Sequence, residues 1–294
     1  MPLRIIVPVD GTEEALAGVE AAGRIALATG GEITLAHALY PGWFRYLLAP
    51  EPVSGALMER ERAAARIEVG KGVDKLKKIG IDPEIKIFEG RPEGTISKIA
   101  NKYDLLVLGS KVRSDLWEVL VGTVSSELIR VVRKPILVVK QYGPPPESIA
   151  KDGKLKVLCA VDKSPVSERC VKFLEKLNSP ETVMVTLLYT IDLKELGVDG
   201  MSAEERYETL QKAHREGEEM LQGYVKKLAV SGHVAATEVL EGDAAALACK
   251  VREEESYDFV IVGRPEVSDI AGRFFDSVSH HLFHHCNAHQ LIVS

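Results

Sequence analysis

Gly109, Lys111, Arg113, Gly122, Thr123, Val124 and Ser125 form the stretch of this 294-residue chain whose residue types and spacing could do chemistry together. Leu105–Leu108 is a short apolar run without polar alternation, which reads as a buried parallel strand that stops at Gly109. A polar loop with Lys111 and Arg113 follows, and Gly122-Thr123 opens a helix with apolar positions at Val124, Leu128, Val131 and Val132. That helix ends before Pro135, and Ile136–Val139 is a second buried strand. The first N–H groups of a helix have no partner inside it, and the helix dipole adds partial positive charge there. A strand end facing a glycine-flanked helix start therefore suits an anion such as a phosphate, and two loop cations add to the attraction.

Other chemistry is sparse. Five of the eight histidines fall within ten residues: His280, His281, His284, His285 and His289. The i,i+4 pair His280/His284 could hold a transition metal with Cys286 nearby, but an exposed polar helix face accounts for the same pattern and is preferred, so no metal is assigned. No Ser-His-Asp set, general-base carboxylate pair or GxxxxGK[ST] loop is visible, which argues against a P-loop ATPase. The turn PVDGTEEA after the first strand lacks the serine and glycine content of an ATP pyrophosphatase loop. Any ATP hydrolysis is expected to be slow, because nothing activates the attacking water. The segment Tyr40–Pro52 gathers Trp43, Phe44 and Tyr46 and reads as a contact surface.

The elements that must position these residues occur twice. Leu3–Val9 is a strand that ends at Asp10-Gly11-Thr12, and Ala15, Leu16, Val19, Ala22 and Ile25 give the buried stripe of the next helix, closed by Gly30-Gly31. A strand over 32–38, helices over 57–80 and 92–102, and a strand over 84–89 complete an alternating pattern, which implies a parallel sheet covered on both faces. After QYGPPPESIAKDGK the pattern restarts: Val161-Asp162-Lys163 echoes Val9-Asp10-Gly11, Leu240-Glu241-Gly242 echoes Phe88-Glu89-Gly90, and Val260–Gly263 echoes Leu106–Gly109. The domains are 1–141 and 155–294, with a linker at 142–154. A net charge of −6 argues against nucleic-acid binding, and no apolar run approaches the roughly 20 residues that cross a bilayer. MPLRIIVPVD reaches acidic residues too soon for a secretory signal, so a cytoplasmic location is expected. Cys159, Cys170, Cys249 and Cys286 lack Cys-x-x-Cys spacing and read as reduced thiols.

The stretch from Gly109 to Thr123 resembles the nucleotide-binding motif of the universal stress protein family: Gly-x-x-Gly, nine residues, then Gly-Ser or Gly-Thr. Gly109 and Gly122-Thr123 fill their positions, whereas Val112 replaces the second glycine. If that position needs positive φ, a β-branched residue costs about 1–2 kcal/mol; if it needs only close approach of the backbone, the loop can shift. The resemblance covers nearly the whole chain as a tandem repeat. It implies an α/β fold of two Rossmann-like domains, each a five-stranded parallel sheet of order 3-2-1-4-5 with helices on both faces. It implies that the first domain takes ATP (with Mg where ATP is bound) or AMP. Pro8, Val9, Asp10 and Ala38 would contact the adenosine part, and Gly109, Lys111, Arg113, Gly122, Thr123, Val124 and Ser125 the ribose and phosphates. In the second domain Glu266 and Asp276 stand at glycine positions before Ser277. A carboxylate at a helix start can occupy the place of a phosphate, so this half is expected to be structural. It is expected to pair with the first as an intrachain pseudo-dimer through the last strands, with homodimers also implied. The implied role is stress-related and regulatory; the alternatives are a nucleotide-free adaptor, or a metal- or small-ligand-binding protein that uses the His280–His289 cluster.

Overall fold

The computed structural model describes residues 1–40, 51–112, 119–120, 123–141, 154–177, 179, 181–264, 277–286 and 288–294. The chain divides into two compact units, Met1–Pro145 and Pro146–Ser294.

In the first unit the chain runs β1 (Arg4–Pro8), α1 (Glu13–Thr29), β2 (Glu32–Leu39), α2 (Glu51–Lys78), β3 (Glu84–Glu89), α3 (Pro92–Ala100), β4 (Leu105–Val112), β5 (Val119–Leu120), α4 (Thr123–Val131) and β6 (Ile136–Gln141). The order β3-β2-β1-β4-β6 is parallel throughout, and it is the expected 3-2-1-4-5 with β6 as fifth strand. Ile5, Ile6 and Val7 are all buried, as a strand covered on both faces requires. Helix α1 packs with α2, and α3 with α4, so helices cover both sides. Thr12 caps α1 by accepting the Ala15 N–H at 3.2 Å, and Gly30 ends it in the left-handed conformation (φ 65°). All five residues of the expected α1 stripe are buried.

The second unit repeats the plan: β7 (Leu155–Ala160), α5 (Pro165–Leu177), β8 (Val183–Ile191), α6 (Ala203–Val230), β9 (Ala235–Glu241), α7 (Ala244–Glu255), β10 (Phe259–Gly263), α8 (Ser277–His285) and β11 (His289–Val293). Its order is β9-β8-β7-β10-β11, again parallel. Ser202 and Glu205 form a reciprocal capping box at the start of α6.

Several sequence expectations need correction. The strand read as Leu105–Leu108 continues to Val112: Gly109–Lys111 stay paired with β6, which itself runs on to Gln141, and residues 111 and 112 pair antiparallel with Leu120 and Val119 of β5. Lys111 is therefore a strand residue and not a loop residue. Helix α2 starts at Glu51 and ends at Lys78, earlier at both ends than the expected 57–80, and α3 stops at Ala100, not 102. In α4 Leu128 and Ile129 are buried, as is Val132 directly after it, whereas Val131 is 40% exposed and does not belong to the stripe. The four cysteines are not all reduced thiols. Cys249 and Cys286 form a disulfide with Cα atoms 5.6 Å apart, and Cys159 and Cys170 remain as buried free thiols.

Candidate functional site

The carboxyl ends of β1 and β4 are neighbours, since Ile5 pairs with Leu105 and Ile6 with Leu106. Pro8 is the last residue of β1, opposite Ala36, and carries no N–H to extend the ladder. Val9 follows, buried, with its N–H donating to the Ala36 carbonyl at 2.8 Å. The Val9 carbonyl lies 2.7 Å from His37 Nδ1, so the tautomer with a proton on Nδ1 donates there. His37 also lies 3.7 Å from a Glu68 carboxylate oxygen of α2. Val9 thus offers a ligand only the second lone pair of its carbonyl. Ala38 is half-buried and lies two residues past Ala36, the last β2 partner of β1.

Asp10 is exposed at the mouth of the strand end. Its Oδ1 accepts from the Thr12 N–H at 3.1 Å and from the Thr12 hydroxyl at 2.6 Å. These bonds fix the carboxylate while Oδ2 takes no bond among the described residues. Gly11 sits between them at φ 80°, a left-handed conformation that suits glycine.

Gly109 has a packing role besides its motif position. A Cβ there would come 1.8 Å from the Glu14 carbonyl oxygen, so the glycine lets α1 lie directly on β4. Gly18 of α1 meets the same spot, its Cβ position 3.2 Å from the Gly109 nitrogen. Side chains alternate along a strand, so Ser110 faces away from α1. Ser110 is 2% exposed, and its hydroxyl has no hydrogen-bond partner among the described residues. Sequence reasoning passed over this residue; the signal available was a serine directly after the strand-end glycine. Helix α4 begins at Thr123, with Val124 and Ser125 half-buried in its first turn. Val112 lies in the extended β4–β5 pairing, so its backbone does not take the positive φ that would strain a β-branched residue. Arg113 and Gly122 lie outside the described residues, as do Trp43, Phe44 and Tyr46, the linker through Gly153, and Glu266 and Asp276.

The equivalent strand end in the second unit carries more hydrogen bonds, although Asp162 is exposed like Asp10. Asp162 Oδ1 accepts from the Ser164 N–H at 2.9 Å, the Ser164 hydroxyl and the Ser167 hydroxyl at 2.6 Å. The Asp162 N–H donates to Ser167 Oγ at 2.8 Å, and Tyr224 donates to the Asp162 carbonyl at 3.1 Å. Burial pushes the Asp162 carboxyl up, but the hydrogen bonds from Ser164 and Ser167 outweigh it and leave it below its ordinary value. Ala15 stands in the first unit where Ser167 stands here, counting by the shift that relates Asp10 to Asp162. Gly263 again serves packing: a Cβ would fall 2.0 Å from Val166 Cγ1. Lys163–Glu216 at 2.6 Å and His214–Glu241 at 2.8 Å bridge α6 to the strand ends. Among the described residues no three His, Cys, Asp or Glu side chains converge as a metal site, and only the backbone of His280 and His284 is described.

The universal stress protein family model matches residues 1–140 and 155–294, so the chain belongs to the universal stress protein family and carries its domain twice. A universal stress protein of Mycolicibacterium smegmatis is 27% identical over 209 residues, covering 70% of each chain. A second, from Methanocaldococcus jannaschii, is 28% identical over 147 residues, covering 47% of this chain and 82% of the relative. The crystal structure of a universal stress protein from Archaeoglobus fulgidus superposes with a TM-score of 0.72 at 15% identity, covering 99% of this chain and 98% of that one. That likeness shows the fold. No helix among the described residues is long and apolar enough to cross a membrane.

Proposed function

We propose that the first domain binds an adenine nucleotide, ATP or AMP, at the carboxyl ends of β1 and β4, and that the chain acts as a cytoplasmic stress-related regulator. The second domain is read as the intrachain partner of the first. The observation that carries this reading is the pairing of two groups on neighbouring strand ends. Asp10 has one carboxylate oxygen fixed by Thr12 and the other available, while Ser110 buries a hydroxyl without a protein partner among the described residues. An orphaned buried hydroxyl costs about 1–3 kcal/mol, which a ligand oxygen or a water would recover. Asp10 suits the hydroxyls of a ribose, and the start of α4 suits a phosphate. The extended backbone at Val112 is compatible with the reading, because it takes no positive φ that would strain a valine.

Mass spectrometry of small molecules released by denaturing the purified full chain tests it. An adenylate released from the wild type and absent from Asp10→Ala is the expected result. Equal recovery from both proteins, or no adenylate from either after incubation with ATP and AMP, would overturn the proposal.

A further inference from the structure

Two cysteines in the second unit meet across an interface that the fold builds from distant segments. Cys249 lies on α7 and is half-buried; Cys286 directly follows α8 and is 4% exposed. They are 37 residues apart in sequence, and their Cα atoms are 5.6 Å apart, within the range that disulfides span. Helices α7 and α8 pack together, so the bond staples one helix to the next. Helix α8 is the counterpart of α4, the helix whose start faces the candidate site in the first unit. At the place of Cys286 the first unit has Val132, counting by the shift that relates Gly109 to Gly263. At the place of Cys249 the first unit has Ser97, counting by the shift that relates Gly90 to Gly242, so it has no cysteine on either side of this seam.

We infer that Cys249 and Cys286 form a reversible redox site that clamps α8 to α7 when a peroxide is present. The proposal rests on the cytoplasmic reading above, because a reducing compartment returns such a pair to thiols, and disulfides there are transient and redox-sensing. In the oxidation, the Cys249 thiolate attacks hydrogen peroxide, which cleaves the O–O bond, gives a sulfenic acid and releases hydroxide. The Cys286 thiol then attacks that sulfur; the S–S bond forms and the oxygen leaves as water. Overall, two thiols and one peroxide become one disulfide and two waters. A dithiol reductant reverses it by exchange.

The other cysteine pair is a built-in control. Cys159 and Cys170 are both fully buried, and the hydrogen bond with Cys170, followed by burial, pushes the Cys159 thiol well up. Thiolate is the reactive form, so this pair stays reduced while the first reacts.

The test uses the full chain, reduced with dithiothreitol and then treated with hydrogen peroxide. Alkylation and non-reducing peptide mapping should show a Cys249–Cys286 link, free Cys159 and Cys170, and full reversal on reduction. Oxidation should raise the Tm of the second unit by about 5–15 °C and slow amide exchange across 277–286. Cys286→Val, which copies the residue type of the first unit, and Cys249→Ser should both fold and show neither change with peroxide. Free thiols at both positions after peroxide would overturn the inference. So would a sulfinic acid in place of the link, a link that resists native reduction, or a link with no change in Tm and exchange.

Discussion

Gly109 and Gly263 show how one residue type at one strand position meets two physical limits. A methyl group at Gly109 meets the backbone carbonyl of Glu14, which cannot step aside without moving α1. We expect Gly109→Ala to destabilise the first unit by about 3 kcal/mol or more, read as a fall in its thermal transition. Gly263→Ala instead meets the Val166 side chain, so adding Val166→Ala should restore part of the loss. No side-chain truncation should rescue Gly109→Ala. Ser110→Ala separates stability from binding: it should leave the Tm of ligand-free protein unchanged or slightly higher, and weaken adenylate binding about tenfold. His233 gives the pH prediction. It is 1% exposed, neither ring nitrogen has a partner among the described residues, and burial pulls its pKa below the ordinary 6.5 against the attraction of Glu175. The folded state holds the neutral form, so the associated stability is present above about pH 6.5 and is lost as pH falls from there through the depressed pKa. Chemical denaturation of the second unit between pH 7.5 and about 5 should show this loss, and His233→Gln should flatten it.

At the scale of elements, the limits of α1 and the buried parallel strands were legible because local chemistry dictates them. Thr12 caps α1, Gly30 ends it, and the apolar runs at 105–108 and 136–139 lie in buried strands. The continuation of β4 to Val112 was not legible, because it lies past the apolar run, in polar residues held by pairing with the end of β6 and with the two-residue strand β5. Nor was the exposure of Val131, since helical spacing alone does not fix the width of a buried face. The meeting of Cys249 and Cys286 follows from the packing of α7 on α8, which no local spacing encodes. The β4 geometry carries its own prediction. With Val112 already extended, Val112→Gly gains no φ freedom that the site needs, so adenylate affinity should change less than about threefold. A gain of tenfold or more, measured by calorimetry, would show that the valine side chain obstructs the ligand.

On the scale of the whole molecule, the duplication was readable because the echoes at Asp162, Gly242 and Gly263 recur at nearly constant spacing. The different use of the two strand ends was less legible. Asp10 and Asp162 look alike in sequence and both are exposed, yet Asp162 also has a Ser167 hydroxyl on Oδ1 and Tyr224 on its main-chain carbonyl, bonds that Asp10 lacks among the described residues. The account therefore predicts one adenylate per chain, held by the first domain. Isothermal titration of the full-length chain with ATP and with AMP tests this most directly. A stoichiometry near one, lost in Asp10→Ala and kept in Asp162→Ala, is the predicted result. A flat titration with both nucleotides at millimolar concentration, or binding that follows Asp162 and not Asp10, would contradict it.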